Sequence, residues 1–208
     1  MVGSVSTMPP SRLTATQREG PIKNKRNVVL IIENKEDISS SFEGTIIDVE
    51  TIGEFLNQYP DSRRYKNIQL VIFGFINRYT LKILCANGMG AIDELGEITS
   101  KIIDTLENPF YAFNSEFERG VLFYEIGKKI DFDGELQRGT ESKKAAVRDL
   151  GIPNYDDPFY DRGLLCMDAW LKGDFPAAIA HNRACLLKER DILIKRGCTR
   201  PNELKFVK

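Results

Sequence analysis

The chain has 208 residues, 42% of them apolar and 28% charged, with a net charge of −1. This is the balance of a single soluble globular domain with a sizeable core, and it excludes an overall basic field, so any nucleic-acid surface must be a local patch. No Cys-x-x-Cys pair occurs among Cys85, Cys166, Cys185 and Cys198, which argues against a cysteine zinc site, and the single histidine, His181, excludes any mechanism needing two.

Residues 1–26 are rich in Ser, Thr, Pro, Gln and Arg and poor in apolar side chains, so a disordered basic tail is expected there. Such a tail is either simply solvated or makes weak phosphate contacts. Val28–Ile32 is a short apolar run that reads as a strand or as an extended arm able to pair across an edge, and 33–44 reads as loop. Thr45–Ile52 is β-branched and apolar apart from Asp48 and Glu50. Two residues apart on a strand, these carboxylates share one face and repel each other in an apolar setting. They are either acids at a strand end reaching into water or a pair awaiting a hard divalent cation, for which Mg²⁺ or Mn²⁺ is the chemical match.

Ile68–Ile76 is a second strong strand, and Asn77-Arg78 turns into a third from Tyr79 to Cys85, making an antiparallel meander. Apolar residues then recur every three or four positions from Ile92 to Leu106, as on an amphipathic helix. Asn108-Pro109 ends that helix, and Phe110–Phe113 is a short strand. Ser115 with Glu118 three residues on forms a potential capping box for the next helix, which runs to about Gly127. Three more helices are expected, over 143–150, from Asp157-Pro158 to Leu171, and from Phe175 to about Lys195. Together these make an α/β domain over 27–197 with a mixed sheet flanked by helices, followed by a C-terminal tail at 198–208. With no secretory leader and no membrane-length apolar run in the sequence, a reduced cytoplasmic location without membrane association is expected.

Two further groups stand out. Asn114-Ser115-Glu116-Phe117-Glu118 lies at a strand tip leading into a helix, where the dipole favours an anion. His181-Asn182 follows the apolar run Ala177–Ala180 on the last helix, at a core boundary. Ile47-Asp48-Val49-Glu50-Thr51, Ala112–Leu122 and the His181-Asn182 helix together resemble the DEDD superfamily of 3′→5′ exonucleases, nearest to its ribonuclease-H-like exonuclease branch, over roughly residues 44–195. The resemblance implies a ribonuclease-H-like fold and hydrolysis of phosphodiester bonds at a DNA or RNA 3′ end. Asp48, Glu50 and Glu118 would then ligate two Mg²⁺ or Mn²⁺ ions, with Glu50 and His181 catalytic and His181 positioning or deprotonating the attacking water. Asn114, Phe117 and Asn182 would contact the substrate. The third motif departs from the pattern: its aspartate, four or five residues after the aromatic, is replaced by Cys185 or Leu186. Glu189, Asp191, Asp149, Asp161 and Asp168 are the substitutes at hand. The alternative implied is a catalytically degenerate nucleic-acid- or partner-binding module on the same fold.

Overall fold

The structure is a computed structural model and describes residues 30–207. The expectation of a disordered tail at 1–26 lies outside the described residues.

A six-stranded mixed sheet organises the domain, in the order β1-β4-β3-β2-β5-β6. Its strands are β1 (Ile31–Asp37), β2 (Thr45–Gly53), β3 (Ile68–Ile76), β4 (Thr80–Ala86), β5 (Phe110–Ala112) and β6 (Gly134–Glu135). β1, β4, β3 and β2 pair antiparallel, while β5 and β6 add on in parallel. The meander forms as its sequence demands. β3 is apolar at nearly every position and buried on both faces, as befits a strand covered by helices on each side.

The helices are α1 (Ile92–Ile103), α2 (Ser115–Glu125), α3 (Lys143–Asp149), α4 (Gly163–Leu171) and α5 (Phe175–Arg196). α1 packs on β3 and β4, and α5 lies across β2, β3 and β4. Asp174 caps α5 by accepting from Ala177 N, and Gly197 ends it at φ 72°, in the left-handed region that glycine enters freely. A small separate core of Phe113, Leu136, Ala146, Val147, Ile152 and Ile192 seats α3 between the β5–β6 edge and α5.

Four expectations are corrected. The first strand is not the apolar Val28–Ile32 run with a loop after it. β1 continues through Glu33-Asn34-Lys35-Glu36-Asp37, and it pairs with β4 of its own chain rather than serving as a free arm. All five of these added residues are polar, so it is the antiparallel pairing with β4, not an apolar alternation, that makes them a strand. α4 does not begin at Asp157-Pro158. Residues 155–161 form a tight loop with Tyr155, Asp156, Tyr160 and Asp161 all at positive φ, and Asp157 accepts from Phe159 N and Asp161 N within it. The Ser115–Glu118 capping box does not form. Asn114 is the cap, accepting from Phe117 N, while Ser115 Oγ donates to Glu135 Oε2 at 2.7 Å. Finally, residues 199–207 are not a free tail. Thr199 bridges to Glu135, Tyr124 donates to Val207 O, Leu204 is buried, and Phe206 packs on Phe123 with ring centroids 4.9 Å apart.

Candidate metal and nucleic-acid site

Asp48 and Glu50 leave β2 on the same face, as the strand period requires, and the register of β2 against β3 shifts immediately after Glu50. Both line a cleft of about 210 Å³ with Asn114, Phe117 and Glu118 from the β5–α2 junction, Lys143 from α3, and His181 and Cys185 from α5. The residues singled out in sequence are therefore brought together, although they are spread over more than a hundred positions. Asn182 reaches Asp48 from behind, donating from Nδ2 to Asp48 Oδ2 at 2.7 Å. Gly74 sits opposite Asp48 in the β2–β3 ladder and makes this approach possible. A Cβ there would lie 2.1 Å from Asn182 Oδ1.

The failed capping box matters here. With Asn114 serving as the cap, Glu118 is released toward the cleft. It is only 3% exposed, and its Oε2 has no hydrogen-bond partner. Burial, then the charges of Asp48 and Glu189, push its carboxyl well above the usual carboxylate range. Glu50 is raised to about 7, chiefly by burial, with Asp48 adding to the rise against the opposing charges of His181 and Lys143. Glu189, fully buried on α5, is raised well above its ordinary value by desolvation despite its ion pair with Lys143. At all three, burial outweighs the cations nearby.

His181 is held at both ends. Nδ1 lies 2.7 Å from Asp157 Oδ1, and Nε2 faces Glu50 Oε1 at 3.7 Å and Cys185 Sγ at 3.7 Å. Burial works against the imidazolium, but the Glu50 charge and the Asp157 hydrogen bond outweigh it and raise His181 to about 11. This setting favours the imidazolium form. Asp157 in turn receives Lys188 Nζ at 2.7 Å, and the same ammonium reaches Asp161 Oδ1 at 2.7 Å. Opposing its own desolvation, the bonds from His181 and Lys188 hold Asp157 below the usual carboxylate range.

Asp48, Glu50 and Cys185 offer ligand atoms within 4.8 Å of one another, as do Glu50, Cys166 and His181. Burial pushes both thiols up, which keeps them protonated and unsuited to a hard ion. Asp48 and Glu50 are the hard oxygen donors of the first set; Glu118 lines the same cleft outside the 4.8 Å grouping, with no partner for its Oε2 among the described residues.

Sequence reasoning missed Lys143 and the Asp157–Lys188 pair. One signal for Lys143 was available: it is the first residue of α3, where a cation opposes the helix dipole and so needs another reason to be there. Asp157 has the look of a helix cap, and only the fold shows it turned toward His181. Of the substitutes for the third-motif aspartate, Glu189 is brought to Asp48 with Lys143 against both, and Asp161 lines the cleft while receiving Lys188. Asp191 instead binds Tyr155 and Arg190.

No helix among the described residues is long and apolar enough to cross a membrane. No family model, curated protein or solved structure matches the chain.

Proposed function

We infer that this chain is a ribonuclease-H-like protein of the DEDD exonuclease type, whose cleft binds divalent metal and the 3′ end of a DNA or RNA strand and hydrolyses the terminal phosphodiester. The observation that carries this reading is the convergence of Asp48, Glu50 and the partnerless Glu118 on one cleft that also holds His181. The meander β4-β3-β2 followed by parallel β5 and β6 is the sheet this reading calls for.

Asp48, Glu50 and Glu118 would hold the metal, which when bound supplies Lewis-acid stabilisation of the charge that builds on the phosphorus oxygens. Asn182 fixes the Asp48 carboxylate through the 2.7 Å bond. Asp157 fixes the ring of His181, leaving Nε2 toward the cleft. While Glu50 is charged, His181 donates. Neutralising Glu50 removes the main support for the imidazolium and lets Nε2 take a proton from water. Phe117 and Asn114 at the mouth offer a ring for a terminal base and an amide for sugar or phosphate.

A second reading, the same fold as a non-catalytic nucleic-acid-binding module, is favoured by Cys185 standing where the third motif needs a carboxylate, its thiol against His181. The two are separated by incubating the purified chain with 3′-labelled single-stranded and duplex DNA and RNA in Mg²⁺ or Mn²⁺. The exonuclease reading expects mononucleotide release that Asp48→Asn abolishes. Oligonucleotide binding that persists in EDTA, with no cleavage in either metal, rejects it in favour of the module.

A further inference from the structure

We propose that Lys143 is a built-in cation that permanently fills one of the cleft's two cation positions, so that the site takes a single divalent ion. This rests on the metal-binding reading above and concerns its stoichiometry.

The ammonium contacts two carboxylates that no other cation among the described residues reaches. Nζ is 3.0 Å from Asp48 Oδ1 and 2.5 Å from Glu189 Oε1. Glu189 is fully buried and Asp48 is 5% exposed, so neither carboxyl has the water that would otherwise solvate its charge. An unpaired buried carboxylate is costly, and a cation bridging two of them relieves both. A metal ion bridging Asp48 and Glu189 would need the space that Nζ occupies. The lysine is also anchored: Ser142 caps α3 by accepting from Ala145 N, the α3 seat buries Ala146 and Val147, and Nζ stands 5.6 Å from the centre of the Phe113 ring.

Glu118 is buried, lines the same cleft, and has no ion pair or Oε2 hydrogen-bond partner among the described residues, which marks a place for an external cation; the Glu189 oxygens also lack a hydrogen bond, but Lys143 Nζ stands against Oε1. The basis of the proposal is a difference between two carboxyls: Glu189 has the Lys143 ammonium in ion-pair contact, and Glu118 has no ion pair among the described residues. A lysine is a fixed monovalent point charge with three donors and no open coordination position, so it steadies carboxylates without activating water. The Lys143–Glu189 contact is therefore structural, and Glu118 is where a metal enters.

The test is a Mn²⁺ titration of the full chain, reading free Mn²⁺ by electron paramagnetic resonance, on the wild type and on Lys143→Ala, Lys143→Arg and Asp48→Asn. Saturation is expected at one Mn²⁺ for the wild type and Lys143→Arg, and at two for Lys143→Ala, where a second cation replaces the ammonium. Two ions in the wild type, or one in a folded Lys143→Ala, overturn the proposal and leave the metal-binding reading standing. No binding by wild type or Lys143→Ala, or binding that Asp48→Asn does not weaken, overturns the metal-binding reading and the proposal with it. A readout on the unmutated chain stands beside these: in ¹⁵N-lysine-labelled protein, the Lys143 ammonium resonance is expected to persist at saturating Mg²⁺. Its release to the position of the exposed lysines on adding Mg²⁺ overturns the proposal whatever the variants do.

Discussion

Lys188→Met is the sharpest probe of the network behind His181. Lys188 is fully buried, and its ammonium makes 2.7 Å bonds to both Asp157 and Asp161. Methionine keeps most of the stem's packing and removes the charge, leaving Asp161 without its cation and Asp157 with His181 alone. Breaking a buried pair from one side costs about 3–5 kcal/mol, a large share of the roughly 5–15 kcal/mol that stabilises a domain. The loss also releases the loop at 155–161, whose four positive-φ residues are held in place by Asp157 and Asp161. With a urea m-value of about 2 kcal/mol/M, the midpoint should fall by roughly 1.5–2.5 M at pH 7. The pH dependence follows from the direction of the Asp157 shift. Its folded value lies below the unfolded one, so its contribution is present above about pH 4, the ordinary carboxylate range, and lost as pH falls through the folded value. The penalty in Lys188→Met should accordingly shrink as pH falls from 7 to 3, because protonated acids no longer need the cation. Adding Asp161→Asn should recover part of the loss at pH 7. A midpoint within about 0.3 M of wild type, or a penalty independent of pH, would refute the assignment of a buried, charged network.

Other outcomes can be checked on the same protein. Gly74→Ala should destabilise by about 1–3 kcal/mol, because its methyl group displaces the Asn182 amide, and combining it with Asn182→Ala should recover much of that cost; additive losses in urea denaturation would contradict the close approach. His181 is the only histidine, so its titration can be read without assignment by ¹H–¹⁵N spectroscopy of the metal-free chain. Its folded value near 11 lies above the unfolded 6.5, so its stabilisation is complete below pH 6.5 and is lost as pH rises through about 11. Asp157→Asn should move the midpoint down, and a wild-type midpoint at or below 6.5 would contradict the Glu50–His181–Asp157 arrangement.

The parts of the fold legible in sequence were those governed by local period. The β2–β3–β4 meander and the helices α1, α2, α3 and α5 follow from alternation or three-to-four spacing. What escaped was decided by distant contacts. β1 is polar at every position from Glu33 to Asp37 and owes its existence to pairing with β4, and β6 is two residues long. The segment at 199–207 is held by Ser62, Tyr124 and Phe123, far away in sequence. The site divides in the same way. Asp48 and Glu50 were readable because strand geometry alone puts them on one face. Glu118 was ambiguous, since a capping box explained it locally, and the choice fell to Asn114 only once Ser115 was drawn off to Glu135. Lys143, 95 positions from Asp48, had no local signature pointing to its partner.

Metal occupancy at the Asp48–Glu118 flank is the claim on which the functional account turns. A crystal of the chain soaked in Mn²⁺ and measured at the manganese edge tests it directly. The account expects an anomalous peak in the cleft bounded by Asp48, Glu50 and Glu118, with Lys143 still between Asp48 and Glu189. An empty cleft at saturating Mn²⁺, with peaks only at surface carboxylates, would contradict it.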